Sequence, residues 1–301
     1  MSNVQKYGVF GDPIHHSLSP VMHNAAFSNL GIPAVYEAFL VKPGDLEHAV
    51  LKAKDDGFRG LNITIPHKES VLKFDFISPD PFSKMVGAAN TLRFLPTGIE
   101  AFNTDAMGAL LALESENCST DGKNILVIGA GGASRSISFL FGQRQNPLKI
   151  INRTAEKAEK LAAEISGKTG NNVSAGGFSN LLDDVEWADI IIQTTELGMG
   201  KYESVSVFDQ TESVDSDENL RNNLLKKYLT PNTVVFDIVY NPKETKFLKE
   251  ARTAGAKTIN GTMMLVYQGA LAFELWTGQK PDVSVMKDAV LKALDAKQNE
   301  K

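Results

Sequence analysis

A lysine just past the end of an apolar strand is one place where this chain can do chemistry. Residues 62–69 read NITIPHKE. Alternation sends Asn62 and Thr64 to one face and Ile63 and Ile65 to the other, and Pro66 ends the ladder. Lys68 then stands at the C-terminal end of the strand, where α/β proteins gather their sites, and an amine there can give or take a proton. A lone lysine in such a place is equally the ordinary solvent-facing side chain. Two more polar clusters lie in the same N-terminal block. His16-Ser17-Leu18-Ser19-Pro20 sets two hydroxyls two residues apart before a helix, which suits a small anion or polyol, or plain capping by Ser19. Asn90-Thr91 and Asn103-Thr104-Asp105 supply amides, hydroxyls and a carboxylate. Asp105 precedes a long helix, whose N-terminus also favours its charge.

A second kind of chemistry is written further on. The apolar stretch 124–128 is followed by Gly129-Ala130-Gly131-Gly132-Ala133-Ser134 and then a helical pattern. A strand, a glycine turn and a helix aim backbone N–H groups at an anion, and here the context is the one a dinucleotide pyrophosphate requires. The last glycine of G-x-G-x-x-G would fall at Ser134, where a small side chain still lets helix and strand approach. Asn152-Arg153-Thr154 begins 23 residues after Gly129, where the second strand ends beside the adenosine ribose. An acidic residue there would select NAD. The planar fork of Arg153 suits a 2′-phosphate instead, with Asn152 and Thr154 as neutral partners and Lys157 as a second positive charge. The cofactor implied is NADP(H). The competing reading makes Arg153 a solvated residue at a helix start.

The elements that must position these groups follow an α/β rhythm. Strands are predicted over 7–10, 35–40, 60–65, 88–94 and 99–102, with helices over 20–30, 45–55 and 104–116. Strand 124–128, helix 134–141, strand 148–151, helix 155–165 and strands 190–193 and 234–239 follow, and the chain from 264 onward is mostly helical. Substrate-type motifs lie at both ends and cofactor motifs between them. That implies two α/β domains around a cleft: residues 1–103, completed by helices in 262–301, and a Rossmann-type domain of residues 104–261. The acidic stretch within 203–229 reads as a solvated loop insertion.

Bulk properties exclude several classes. The 301 residues carry a net charge of −5, which disfavours non-specific binding to nucleic acid or an anionic membrane. No apolar run approaches the roughly 20 residues of a membrane helix, and the N-terminus lacks a signal-peptide pattern. The one cysteine, Cys118, allows no intramolecular disulfide, as expected in the cytoplasm. No metal-ligand spacing is present.

Taken in order, HSLSP, NITIPHKE, GAANT, NTD, GAGGAS, NRT, LGM, DIVYNP and GTMMLVYQGA make the chain resemble the shikimate dehydrogenase family over nearly its whole length. The resemblance implies an NADP-dependent enzyme that interconverts 3-dehydroshikimate and shikimate, as a monomer or homodimer. It implies that Ser17 and Ser19 hold the substrate carboxylate, and that Thr64, Asn90, Asp105 and Gln268 bind its hydroxyls and carbonyl region, with Tyr240 nearby. Lys68 would be the acid/base, paired with Asp105. Gly129, Ala130, Gly131, Gly132 and Ala133 would cradle the pyrophosphate; Asn152, Arg153, Thr154 and Lys157 would hold the 2′-phosphate; Ile238 and Gly261 would lie by the nicotinamide. Asp80 matches an acidic position on the cofactor side. The chain departs from the family pattern at Ala106, at Gln193-Thr194-Thr195 and at Thr262-Met263. Two rivals remain. One is a quinate-preferring member of the same family. The other is a non-catalytic NADPH-sensing module, which would keep the glycine turn but lose Lys68 or Asp105.

Overall fold

The computed structural model describes residues 4–215 and 217–299. The chain opens with β1 (Gln5–Gly11), α1 (Ser19–Asn29), β2 (Ala34–Leu40), α2 (Leu46–Asp55), β3 (Phe58–Ile63), β4 (Ile77–Pro79), α3 (Pro81–Val86), β5 (Thr91–Leu95) and β6 (Gly98–Phe102). These strands form a sheet in the order β2-β1-β3-β5-β6-β4. β1 pairs in parallel with β2 and β3, whereas β5 runs antiparallel to β3 and β6. β1 is buried from Tyr7 onward, as its unbroken apolar run requires of a strand inside a parallel set. The short β4 and α3 have no counterpart in the sequence reading, because three strand residues cannot display a period.

The chain continues through α4 (Asp105–Ser115), β7 (Ile125–Ile128), α5 (Gly132–Gln143), β8 (Leu148–Ile151), α6 (Ala155–Thr169), β9 (Val173–Gly176), α7 (Leu181–Trp187), β10 (Ile190–Gln193), α8 (Glu218–Tyr228), β11 (Val234–Asp237), α9 (Lys246–Ala254) and β12 (Lys257–Ile259). This second sheet has the order β12-β11-β10-β7-β8-β9 with every pair parallel. The order reverses at β7, which makes the β7–β10 boundary its topological switch point. α10 (Thr262–Thr277) and α11 (Val283–Asn299) then complete the first unit. The two compact units are Met1–Gly108 with Leu265–Lys301, and Ala109–Met264. Their divisions fall inside α4 and α10, slightly later than the helix starts at which the sequence reading sets them.

α10 is fixed within the first unit by Trp276, whose indole N–H donates to the Leu92 carbonyl at 2.9 Å. Its ring also meets those of Tyr7 and His23, each at 5.3 Å between centroids. Gly60 makes this possible, because a Cβ there would lie 2.2 Å from the Trp276 nitrogen.

Three local expectations are corrected. The strand predicted over 60–65 ends at Ile63, and Ile65 turns outward, 54% exposed, because Pro66 interrupts the ladder. Ser19 is the first residue of α1 rather than its cap; Leu18 holds the cap position and no side chain caps it. The segment 203–229 is more than a solvated insertion. Val207 and Phe208 enter the core of the second unit. Buried Arg221 pairs with Asp209 at 2.9 Å and with Glu250 of α9 at 2.8 Å, and the Ser206 hydroxyl donates to Glu250.

Candidate active site

β3, the start of α4 and α10 bring the polar residues of the first unit together. Lys68 Nζ donates to Asp105 Oδ2 at 2.5 Å, with the two side chains 15% and 7% exposed. The other Asp105 oxygen, Oδ1, accepts from Asn90 Nδ2 at 2.9 Å. Asn90 Nδ2 also faces Thr104 Oγ1 at 2.9 Å and Gln268 Oε1 at 3.3 Å. An amide has two hydrogens, so the long Gln268 contact is the weakest of the three. Asn90 Oδ1 accepts from the Thr104 backbone N–H at 2.8 Å, which fixes the amide's orientation. Gly108 lets α10 come this close, since a Cβ on it would stand 2.8 Å from that of Gln268. The result is a buried ammonium–carboxylate pair whose carboxylate is held on both oxygens. An ammonium held in this way can deliver a proton to a neighbouring oxygen, and its remaining exposure lets it regain one from water.

A second strand of the network reaches the serines. Asn62 Nδ2 donates to the Asn90 carbonyl at 3.1 Å, and Asn62 Oδ1 accepts from the Tyr36 hydroxyl at 2.7 Å. Tyr36 is fully buried, and burial raises its pKa well above the usual phenol value against an opposing hydrogen bond with Ser19. The Ser17 hydroxyl accepts from the Ser19 backbone N–H at 3.3 Å. Thr64 packs on Gly11, where a Cβ would lie 2.4 Å from its methyl group. His67, next to Lys68, is buried with Nε2 at 2.7 Å from the Val41 carbonyl, which anchors the turn after β3.

In the second unit, the glycine turn joins β7 to α5. Gly129 has φ of +120°, and a Cβ there would strike the Thr194 hydroxyl at 2.4 Å. Gly131 holds the cap position of α5, and no side chain caps that helix. Ser134, fully buried, donates its hydroxyl to the Gly129 carbonyl at 2.6 Å and so tightens the turn where a glycine was expected. Gly131 is exposed, with Ala130, Gly132 and Ala133 half-buried around it. Past β8, Arg153, Thr154 and Lys157 are exposed, and Thr154 precedes α6 without capping it. Asn152 donates to the Thr154 carbonyl at 2.9 Å. Past β11, Ile238 and Tyr240 are half-buried, and Gly261 is buried with its N–H on the Val239 carbonyl at 3.0 Å. Among the described residues, no group of three or more His, Cys, Asp and Glu could hold a metal ion, and no helix is long and apolar enough to cross a membrane.

Three family profiles match the chain: a shikimate dehydrogenase substrate binding domain at residues 9–92, a shikimate/quinate 5-dehydrogenase at 111–201 and a shikimate 5′-dehydrogenase C-terminal domain at 261–291. The chain is 48% identical over 292 residues to the shikimate dehydrogenase (NADP(+)) of Methanosarcina barkeri, covering 96% of this chain and 99% of that protein. The chain belongs to the shikimate dehydrogenase family. Among solved structures, a shikimate dehydrogenase in complex with NADP+ is 40% identical, with a TM-score of 0.83 over 98% of each chain. The shikimate 5-dehydrogenase of Thermus thermophilus, in complex with NADP(H) and shikimate, is 32% identical, with a TM-score of 0.81 over 97% of this chain and all of that one.

The shikimate dehydrogenase motifs thus sort into the two units. Ser17, Ser19, Thr64, Lys68, Asn90, Asp105 and Gln268 belong to the first. Tyr240, Ile238, Gly261 and the residues of the glycine turn and of the Asn152-Arg153-Thr154 segment belong to the second. Asp80, in the first unit, caps α3, where it accepts from the Phe82 and Ser83 backbone N–H groups. Tyr36, which no sequence motif singles out, links the serines to Asn62, and Thr104 of the predicted polar cluster holds Asn90. A tyrosine among the alternating residues of β2 was the available signal, since a buried phenol needs a partner.

Proposed function

We propose that this chain is an NADP-dependent shikimate dehydrogenase that reduces 3-dehydroshikimate to shikimate and runs the reverse oxidation. The observation that carries the reading is the Lys68–Asp105 pair, held by Asn90 within a chain of this family. Ser17 and Ser19 take the substrate carboxylate. Thr64, Asn90, Asp105 and Gln268 take its hydroxyls and carbonyl region, with Tyr240 beside them. The Lys68 ammonium gives its proton to the carbonyl oxygen as that oxygen becomes a hydroxyl, and in the oxidative direction the neutral amine takes it back. Asp105 keeps the ammonium aimed and balances its charge.

The dinucleotide fits the second unit. Gly129 lets the turn close against Thr194, Gly131 leaves open space where a side chain would stand, and the uncapped start of α5 offers N–H groups to the pyrophosphate. NADPH, when bound, supplies the hydride. Residues 129–133 hold its pyrophosphate; Asn152, Arg153, Thr154 and Lys157 hold the 2′-phosphate; Ile238 and Gly261 border the nicotinamide. We place the enzyme in the cytoplasm, as a monomer or homodimer, with residues 1–103 and 262–301 as its substrate domain and 104–261 as its cofactor domain. The presence of both Lys68 and Asp105 speaks for an enzyme over a nucleotide sensor.

The test is a comparison of rates with shikimate or quinate and with NADP+ or NAD+. Shikimate with NADP+ is expected to give the highest kcat/KM. A higher value for quinate with NAD+ would overturn the substrate and cofactor assignment together.

A further inference from the structure

We propose that Asp237 is a positioning residue for the nicotinamide half of the cofactor, tying the backbone after β10, after β11 and before α10 into one rigid surface. The inference rests on the cofactor reading above. Asp237, Gln193 and Thr245 are each fully buried. Asp237 Oδ1 accepts from the Val239 backbone N–H at 3.0 Å and from Gln193 Nε2 at 3.2 Å. Its Oδ2 accepts from the Thr245 hydroxyl at 2.7 Å. Each of these partners holds a different segment. Gln193 Nε2 also donates to the Leu197 carbonyl at 3.0 Å, and Gln193 Oε1 accepts from the Thr195 backbone N–H. The Val239 carbonyl accepts from the Gly261 N–H at 3.0 Å. Thr245 Oγ1 caps α9 through the Leu248 N–H, and Thr245 packs on Gly198, where a Cβ would lie 2.8 Å away. One carboxylate therefore sets residues 195–198, 238–239, 245 and 261.

Residues 195–198 and 238–245 leave the carboxyl ends of β10 and β11 and Gly261 follows β12, all on the far side of the switch point from β8. The pyrophosphate turn follows β7 and the 2′-phosphate residues follow β8, so the remaining half of a dinucleotide crosses toward β10 and β11. With no exposed surface, Asp237 acts through its neighbours. Three donors converge on it, and a carboxylate satisfies them with two acceptor oxygens where an asparagine offers one. The departure from the family pattern at Gln193-Thr194-Thr195 falls here: Gln193 reaches Asp237, Thr195 and Leu197 at once.

The test uses the purified full chain as Asp237→Asn, Thr245→Val and Thr245→Ser. NADPH and 2′,5′-ADP affinities are measured by calorimetry, and KM and kcat by turnover. The 2′,5′-ADP probe occupies the adenosine half alone. Asp237→Asn and Thr245→Val are expected to weaken NADPH binding about tenfold, the factor for losing some 1.4 kcal/mol. Shikimate KM and 2′,5′-ADP affinity are expected to stay within about twofold, and Thr245→Ser to match the unmodified protein, since it keeps the hydroxyl. Unchanged NADPH affinity in both disruptive variants would overturn the proposal. So would 2′,5′-ADP affinity falling by the same factor, which marks general damage to the unit. If Asp237→Asn does not fold, the two Thr245 variants decide. Because the affinities need no turnover, a failure of the shikimate reading would show in the activity assay alone and remain distinguishable.

Discussion

The two halves of the proposed chemistry are built in opposite ways. The proton-transfer residues are side chains locked by side chains: Lys68 on Asp105, Asp105 on Asn90, Asn90 on Thr104. The dinucleotide residues are backbone groups at an uncapped helix start and exposed side chains past β8. A proton donor has to be held within hydrogen-bond reach of the reacting oxygen, so its geometry is fixed before substrate arrives. A phosphate carries its own charge and accepts many donors, so an open set of N–H groups and an exposed guanidinium suffice. Substitutions should therefore act on rate in the first unit and on cofactor affinity in the second.

Lys68 apart, the largest effect is expected at Asp105. Asp105→Asn removes the counter-charge of Lys68 at nearly constant shape, and kcat should fall by about 10²-fold, at the low end of general acid–base contributions. Steady-state kinetics should show the shikimate KM moving far less. Next comes Arg153→Asp, which replaces a charge-assisted hydrogen bond by repulsion and should raise the NADP+ KM by roughly 10–100-fold. NAD+ use should stay level or improve, and an unchanged NADP+ KM would remove Arg153 from the site. Gly261→Ala follows, since its Cβ would lie 1.9 Å from the Ile238 carbonyl oxygen. Overpacking of this kind costs about 1–3 kcal/mol, a lowering of Tm by several degrees in a thermal melt.

A further comparison separates the units by pH. In the first unit, burial pushes the His23 imidazole down to about 3, with Asn62 compensating only in part. The unfolded chain takes up that proton first, so His23 costs stability as pH falls from 6.5 toward 3. In the second, burial pushes the Asp237 carboxyl up to about 7 against its hydrogen bonds from Val239, Thr245 and Gln193. There the folded chain holds the proton longer, so the contribution of Asp237 is present below 3.8 and lost as pH rises toward 7. Urea unfolding across this range should show the acid limb flattened in His23→Phe and the opposing slope removed in Asp237→Asn. Identical pH profiles in both variants and the unmodified protein would contradict the assignment.

How legible each region was in the sequence follows from the same contrast. β8 and β10 could be read to the residue, because buried parallel strands are short apolar runs with polar ends. The glycine turn was legible because only glycine takes φ near +120° against Thr194. Lys68 and Asp105 were visible as residues, and their pairing followed only from the family resemblance, since nothing in the spacing of residues 68 and 105 brings them together or says that Asn90 will hold the carboxylate in place. Tyr36 and the Asp237 cluster were hidden for the same reason: each acts through contacts between segments distant in sequence. The tethering of 203–229 was hidden too, because an acidic run reads as solvated until Arg221 and α9 are placed beside it.

Central to all of this is that Lys68 moves the proton rather than merely binding substrate. The direct measurement is kcat and shikimate KM for Lys68→Ala with NADP+ saturating. The expected result is a fall in kcat of roughly 10²–10⁴, with kcat/KM falling in parallel and KM little changed, the pattern of an interaction made in the transition state. A large rise in KM at unchanged kcat would contradict it: Lys68 would then be a binding residue, and Asp105 the next group to examine for the proton.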